Sequence, residues 1–243
     1  MRLAVLSDIH SNLVALDAVL ADLDALPAVD QLWVCGDIVG YGPQPNEVVA
    51  RLRERDARGV LGNHDGAAVG LVDAGWFNDA AAAAIHWTAE VLEPSTREYL
   101  SGLPERREEA DLTAVHGSPR DPIWEYITSR AVAAANLTAF TTRICLFGHT
   151  HFPMVFAQTD DGVRQSSGTP GPPAPIPNGR LMLNPGSVGQ PRDGQPTSAY
   201  LVLDLDAGTL QFRRTAYDIE RTQALMREAS LPRWLVERLS LGR

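Results

Sequence analysis

Within its first 65 residues the chain repeats one pattern three times: a short apolar run that ends abruptly in a cluster of Asp, His or Asn. Arg2 to Leu6 runs into Ser7-Asp8-Ile9-His10-Ser11-Asn12, Gln31 to Cys35 into Gly36-Asp37, and Gly59-Val60-Leu61 into Gly62-Asn63-His64-Asp65. Amphipathic stretches fill the gaps. Leu13, Leu16, Val19, Leu20 and Leu23 recur at helical spacing until Pro27, and Pro43 and Pro45 precede a second helical stretch from Asn46 to Arg55. Strand, polar cluster and helix, repeated, is the pattern of a largely parallel sheet with crossover helices. Ligands bind such sheets at the carboxyl ends of the strands, and the polar residues fall at those ends.

The middle of the chain continues the theme. Asn78 to Leu103 reads as helical, with Pro94 separating two helices. Leu112 to Val115 is a strand running into His116-Gly117-Ser118-Pro119, Arg120 to Ile127 a loop, and Ser129 to Phe140 a helix. Ile144 to Phe147 is an apolar strand followed by Gly148-His149-Thr150-His151. In an extended chain His149 and His151 leave on the same side, and Gly148 allows a tight turn before them.

Beyond this point the character changes. Met154 to Phe156, Val163 to Gln165, Arg180 to Leu183, Ala199 to Leu205 and Thr209 to Arg214 read as strands. Asp160-Asp161-Gly162 and Asp206-Ala207-Gly208 are hairpin signals, so this half is expected to form a mostly antiparallel sheet. The segment Gly168 to Gly179 is too rich in proline for a central strand or a helix and is expected to protrude. Asp218 to Arg243 reads as helical, interrupted at Pro232. No internal repeat and no linker divides the chain. The expectation is a single α/β domain over residues 1–243, with two sheets packed face to face and helices outside.

Composition removes several classes of function. The hydrophobic fraction of 44% is that of a folded globular chain. All 21 basic residues are arginine, which excludes lysine Schiff-base chemistry and a phosphate loop ending in Gly-Lys-Ser/Thr. No Gly-x-Gly-x-x-Gly follows the first strand, so a dinucleotide fold has no support. A net charge of −9 argues against a grip on long nucleic acid, yet leaves a small phosphate substrate open if bound cations reverse the local field. Cys35 and Cys145 sit inside apolar runs and read as reduced core residues. The opening apolar run is too short for a signal peptide, and no run approaches the ~20 residues of a membrane span. A cytoplasmic protein with no membrane partner is expected.

Five of the six histidines, His10, His64, His116, His149 and His151, lie in strand-end clusters, beside Asp8, Asp37, Asn63 and Asp65. Core packing or helix capping explains any one cluster but not all of them. His86 stands apart and reads as a surface or packing residue. Imidazole nitrogen with carboxylate oxygen is the donor set of a transition-metal site.

In this order, Asp8-x-His10, Gly36-Asp37, Gly62-Asn63-His64-Asp65, His116 and Gly148-His149-x-His151 resemble the motif series of the calcineurin-like metallophosphoesterases. With Gly40-Tyr41-Gly42-Pro43 and His116-Gly117-Ser118-Pro119, the chain most resembles the small bacterial and archaeal phosphodiesterases of that family. The resemblance implies a four-layer α/β/β/α sandwich and two divalent cations about 4 Å apart, which neutralise a phosphate ester and acidify a bridging water. It implies that Asp8, His10 and His151 hold one cation, that Asn63, His116 and His149 hold the second, and that Asp37 bridges them. Mn²⁺ is favoured, and Fe, Zn, Co or Ni also suit the donors. His64 is then the residue that stabilises the transition state or protonates the leaving oxygen. Asp65 either orients the His64 imidazole or caps a helix.

The implied activity is hydrolysis of phosphodiesters in small soluble substrates by a metal-bridging hydroxide. Phosphomonoesters, phosphoproteins and dinucleoside polyphosphates are the alternatives. Tyr41, Arg120, Trp124 and Tyr126 follow metal-bearing strand ends and are candidate substrate contacts, the aromatics by stacking and the arginine by pairing with phosphate. For Trp124 and Tyr126 the alternative is packing of their own loop. The same fold also serves as a non-catalytic interaction module in which the catalytic histidine is lost. Here Asp8, Asp37, Asn63 and His64 are all present.

Overall fold

A strand that is apolar on both faces has to sit between two layers, and the chain places six such strands side by side in two sheets. The computed structural model describes residues 1–243. In chain order the elements are β1 (Arg2–Leu6), α1 (Leu13–Asp24), β2 (Gln31–Val34), α2 (Pro45–Glu54), β3 (Arg58–Gly59) and α3 (Asn63–Ala68). There follow α4 (Asp79–Val91), α5 (Pro94–Ser101), β4 (Arg106–Glu109), β5 (Leu112–Val115), α6 (Arg130–Asn136) and β6 (Ile144–Leu146). The chain continues through β7 (Met154–Thr159), β8 (Gly162–Ser167), β9 (Ala174–Pro175), β10 (Leu181–Asn184), β11 (Ser198–Asp204) and β12 (Thr209–Thr215). It closes with α7 (Ile219–Glu228), α8 (Arg233–Glu237) and a 3₁₀ turn, Arg238–Leu241.

One sheet has the order β3-β2-β1-β11-β12-β9, the other β4-β5-β6-β10-β7-β8. In the first, β1, β2 and β3 are mutually parallel; in the second, β5, β6 and β10 are. The remaining pairings are antiparallel, so both sheets are mixed. Alternation along each strand builds the layers. Leu3 and Val5 of β1 point into an inter-sheet core shared with Trp33, Leu146, Leu183 and Leu201. Ala4 and Leu6 point the other way, against Leu16, Val19, Val48 and Leu52 of α1 and α2. On the far side, Cys145, Phe147, Phe156 and Met182 pack against α6 through Ala133 and Leu137. The result is an α/β fold of two mixed six-stranded sheets flanked by helices. The longest helix, α4, has 13 residues, and no helix is long and apolar enough to cross a membrane.

Two expectations need correcting. The C-terminal strands do not form one antiparallel sheet. β7, β8 and β10 extend the second sheet, whereas β11, β12 and β9 extend the first. β10 is buried along its whole length and β11 nearly so, and a strand buried on both faces belongs in the middle of a sheet. The proline-rich segment does not simply protrude. It returns at β9 to pair with β12 on the sheet edge, where the missing N–H of Pro175 costs no ladder bond. At an edge of the second sheet β4, written Arg-Arg-Glu-Glu, carries charge that discourages further pairing. Cys35 and Cys145 are both buried and unpaired.

Candidate metal centre

The six parallel strands β1, β2, β3, β5, β6 and β10 carry the functional loops at their carboxyl ends. The loop after β1 gives Asp8 and His10, that after β2 gives Asp37, and the start of α3 gives Asn63 and His64. From the second sheet, β5 leads to His116 and β6 to His149 and His151. All seven proposed ligands are buried at 4% exposure or less, an unusual position for Asp, Asn and His.

The donors converge in two groups that share Asp37. His10 Nε2 and His151 Nε2 lie 3.2 Å apart, with Asp8 Oδ1 3.2 Å from His151 Nε2 and Asp37 Oδ2 3.6 Å from His10 Nε2. In the second group His116 Nε2 lies 2.9 Å from His149 Nδ1, 3.0 Å from the Asn63 amide and 3.4 Å from Asp37 Oδ2. Three of the rings are pinned from behind by backbone carbonyls. His10 Nδ1 faces Val39 O at 3.2 Å, His116 Nδ1 faces Cys35 O at 2.8 Å, and His151 Nδ1 faces Gln190 O at 2.6 Å. A carbonyl only accepts, so each Nδ1 carries a proton and each Nε2 faces inward, with a free lone pair in His10 and His151 and, in His116, one exposed when a cation replaces its second proton.

This arrangement fits divalent cations on its own chemistry. Two inward lone pairs 3.2 Å apart repel unless a cation lies between them. Both carboxylate oxygens of Asp8 are buried without a hydrogen-bond partner. Orphaned donors of this kind are costly in a protein interior and are the mark of a site built for something else.

The titration properties agree. Burial pushes the Asp8 carboxyl up to about 7. Burial would raise Asp37 too, but the imidazoles of His116 and His64 outweigh it and hold the carboxyl well below its usual range. For His116 burial works downward, and the Asp37 carboxylate overcomes it, holding the ring up to about 9. A bound cation would take the place of that proton. Burial lowers His10, His149 and His151, leaving them neutral as ligands must be.

His64 sits over the shared carboxylate. Its backbone N–H donates to Asp37 Oδ1 at 2.9 Å, while its ring Nδ1 has no partner. Aromatic rings set its orientation: Tyr41 at 4.3 Å between centroids, Phe77 at 4.9 Å and His10 at 4.9 Å. Asp65 does not reach the His64 imidazole, which corrects the orienting role. Its two oxygens accept from the backbone N–H groups of Val39 and Gly62, at 2.9 and 3.0 Å. As the third residue of α3 it closes back on the residue before the helix, half of a capping box, and ties the β2 loop to the β3 loop.

The candidate substrate contacts divide. A cavity of about 290 Å³ opens over Asp37, Asn63, His64, His149 and His151, and Tyr41, Trp124 and Tyr126 line it. Tyr126 stacks on His149 at 3.8 Å, and Trp124 lies 5.2 Å from Phe77. Arg120 does not line it. Its side chain is half exposed beside Glu125 and its backbone N–H is held by Asn136, so the loop turns it outward. The cavity arginines are instead Arg192 and Arg238, and the rim is completed by Trp76, Phe77 and Asn78.

A further element escaped the sequence reading, the loop after β10. Ser187 Oγ donates to Asp8 O at 2.8 Å, Gly189 N to Asp8 O at 3.0 Å, and Gln190 O positions His151. Asn184 Nδ2 donates to Gly148 O at 2.6 Å. The signal was present: Leu181 to Asn184 is another apolar run ending in polar, glycine-rich sequence, Asn184-Pro185-Gly186-Ser187.

A model of the calcineurin-like phosphoesterase superfamily domain matches residues 1–208. An uncharacterized protein of Methanocaldococcus jannaschii is 36% identical over 99% of this chain and 98% of its own length. A crystal structure of a metallophosphoesterase from Sphaerobacter thermophilus superposes with a TM-score of 0.90 at 45% identity, covering 100% of this chain and 99% of that one. A symmetrical bis(5'-nucleosyl)-tetraphosphatase of Pectobacterium atrosepticum is 40% identical over 67 residues, 27% of this chain and 24% of that protein. Members of the family generally bind two divalent metals, in keeping with the histidine and aspartate clusters described above. The chain belongs to the calcineurin-like phosphoesterase superfamily.

Proposed function

We propose that the protein is a dinuclear metal-dependent phosphoesterase that hydrolyses phosphodiester bonds of small soluble substrates. The observation that carries this reading is the double donor set: buried donors gather on either side of one carboxylate, Asp37, with His10 and His64 on one side and His116 and His149 on the other. When bound, two cations would set positive charge against the ester oxygens and lower the pKa of the attacking water. Mixed nitrogen and oxygen donors suit Mn²⁺.

The chain's own groups do the rest. Asn63 is a neutral ligand and adds no negative charge against the anionic ester. His64 lines the cavity beside the ester, with its Nδ1 buried against Gly40. Burial lowers its pKa to about 4, so in the empty pocket it is a neutral imidazole with an N–H to donate. An anionic ester beside it raises that value and moves it toward proton donation to the leaving oxygen. Tyr41 and Phe77 fix the ring, and the aromatic rim of Trp76, Trp124 and Tyr126 excludes water from one arm of the ester. The aromatic surface of that rim favours a diester, whose second organic arm it can cover. The tetraphosphatase similarity supports dinucleoside polyphosphates as the second reading. Two buried, unpaired cysteines suit a reducing cytoplasm, and the net charge of −9 disfavours long nucleic acid as a partner.

The test is turnover by metal-stripped protein resupplied with Mn²⁺, Fe²⁺, Co²⁺, Ni²⁺ or Zn²⁺, using bis(4-nitrophenyl) phosphate and 4-nitrophenyl phosphate. Metal-restored hydrolysis, fastest with Mn²⁺ and the diester, is expected. No metal-dependent hydrolysis of either ester overturns the enzyme reading, and a faster monoester overturns the diester preference.

A further inference from the structure

Four imidazoles supply the nitrogen donors of the metal centre, and three of them are held in the same way. His10, His116 and His151 each donate Nδ1–H to a backbone carbonyl and turn Nε2 inward. His149 is reversed. Its Nδ1 faces the centre, 2.9 Å from His116 Nε2, and its Nε2 is buried with no hydrogen-bond partner. A cation on Nδ1 would leave the ring proton on Nε2, where nothing accepts it. Histidine ligands almost always have an acceptor on the outer nitrogen, which fixes the orientation of the ring. His149 has none.

In its place His149 has a ring against its face. Tyr126 stacks on it with centroids 3.8 Å apart and planes 23° apart. A stacked ring opposes tilting of the imidazole, because tilting opens the face contact. Core packing does not account for this tyrosine. Tyr126 is half exposed and belongs to none of the hydrophobic clusters. It is nevertheless firmly placed. The loop after β5 begins at His116, and its turn is closed by Gly117 N donating to Pro122 O and Ser118 N to Asp121 O. Glu125, the neighbour of Tyr126, accepts at Oε2 from Ser118 Oγ at 2.6 Å and from Asn136 Nδ2 at 2.7 Å. One loop therefore carries a donor of the Asp37, His116 and His149 group at its start and, near its end, the ring that covers another donor of that group.

We propose that Tyr126 is a positioning residue for one of the two cations, acting through His149 by stacking where the other imidazoles use hydrogen bonds. This rests on the dinuclear reading and deepens it. The group of Asp8, His10 and His151 is independent of Tyr126. Its two rings are pinned by Val39 O and Gln190 O and stack on each other at 5.0 Å.

The experiment is calorimetric titration of metal-stripped protein with Mn²⁺, for the wild type, Y126F, Y126L and W124L. Y126F keeps the ring and loses the hydroxyl. W124L removes an aromatic of the same loop whose ring contacts are Trp76 and Phe77, neither of them a ligand. The wild type is expected to take up two Mn²⁺ per chain in two steps. Y126L should weaken one step by roughly 10–100-fold, the usual loss when the support behind a ligand is removed, and leave the other unchanged. Y126F and W124L should both titrate as the wild type does. Y126L with both steps at wild-type affinity overturns the proposal. So does equal weakening of both steps, or an equal loss in W124L, either of which would mean general loosening of the loop. Y126F as weak as Y126L overturns it too, by moving the effect from the ring to the hydroxyl. A wild type with two Mn²⁺ and an unaltered Y126L loses the positioning role and keeps the dinuclear centre, whereas a wild type with fewer than two loses both.

Discussion

Gly62→Ala should strip the metal centre through a single methyl group. Gly62 has φ −94° and ψ 168°, a conformation open to any residue, so alanine meets no backbone strain there. The obstacle is proximity. A Cβ on Gly62 would lie 2.1 Å from Asp37 Oδ1 and 2.2 Å from Asp37 N. Ordinary contacts begin near 3.5 Å, so the two loops must part by more than an ångström. Overpacking of this kind costs about 1–3 kcal/mol. The functional effect is larger, because the displaced group is the shared carboxylate, and a shift of about 1 Å in a reacting constellation costs roughly 10²-fold. Gly70→Ala is the matched control. Gly70 has φ +82° and nothing within 4 Å of an added Cβ, so it tests strain without collision. Alanine there should cost about 1–2 kcal/mol of stability and leave the centre intact. Metal content, turnover of bis(4-nitrophenyl) phosphate and thermal midpoint separate the two. Gly62→Ala with two metals per chain and wild-type turnover would refute the reasoning, as would an equal loss of turnover in Gly70→Ala.

Two further outcomes follow from the site. His64→Ala should keep both metals yet lose roughly 10²–10⁴-fold in turnover, the loss growing with the pKa of the leaving group; loss of a metal would make His64 a ligand. Apparent metal affinity should rise with pH, because a cation displaces the proton held by His116 up to about 9 and, below about 7, the one held by Asp8. The slope is about tenfold per pH unit between 7 and 9 and steeper below 7, measured by competition with a fluorescent chelator; a flat profile would show that neither group is protonated in the metal-free protein.

Much of this architecture was legible in the sequence because short apolar runs ending in Asp, His or Asn report two facts together: burial of the strand and function at its carboxyl end. Arg2–Leu6 and Ile144–Leu146 are such cases, and both lead to ligands. What escaped has physical reasons. Arg120 and Arg192 are equally plausible phosphate contacts by composition. Only the direction of each loop decides between them, and that direction depends on Asn136 and Gln190, far away or on the wrong side in sequence. Arg238 sits in a helical stretch whose apolar periodicity gives no hint that it reaches a cavity whose other residues run from Asp37 to Arg192. Asp65 was ambiguous because a carboxylate three residues into a helix suits a capping contact and an imidazole contact alike. The backbone N–H groups of Val39 and Gly62 claim both of its oxygens.

The His-x-His stretch shows where the limit lies. Alternation along a strand would place both rings on one side, but His149 and His151 are not extended; their φ values are +64° and +62°. Of the ten non-glycine residues with positive φ in the chain, seven lie in the ligand loops: Asp8, His10, Ser11, Asp37, Tyr41, His149 and His151. Such conformations cost about 1–2 kcal/mol each in an L-residue, and glycine would remove the cost. Glycine cannot donate to a metal, so coordination requires a side chain where the backbone favours none. The loops are held in place by one another. Asp8 N donates to Gly36 O, His10 N to Asp37 O, Gly148 N to His116 O and Gly189 N to Asp8 O. Glycines take up the closest approaches, with a Cβ on Gly148 falling 2.0 Å from Ser7 Oγ and one on Gly189 falling 1.7 Å from Ile9 O. Strain at the ligands is therefore balanced by cross-loop hydrogen bonds between backbone groups, none of which uses a metal-donor atom.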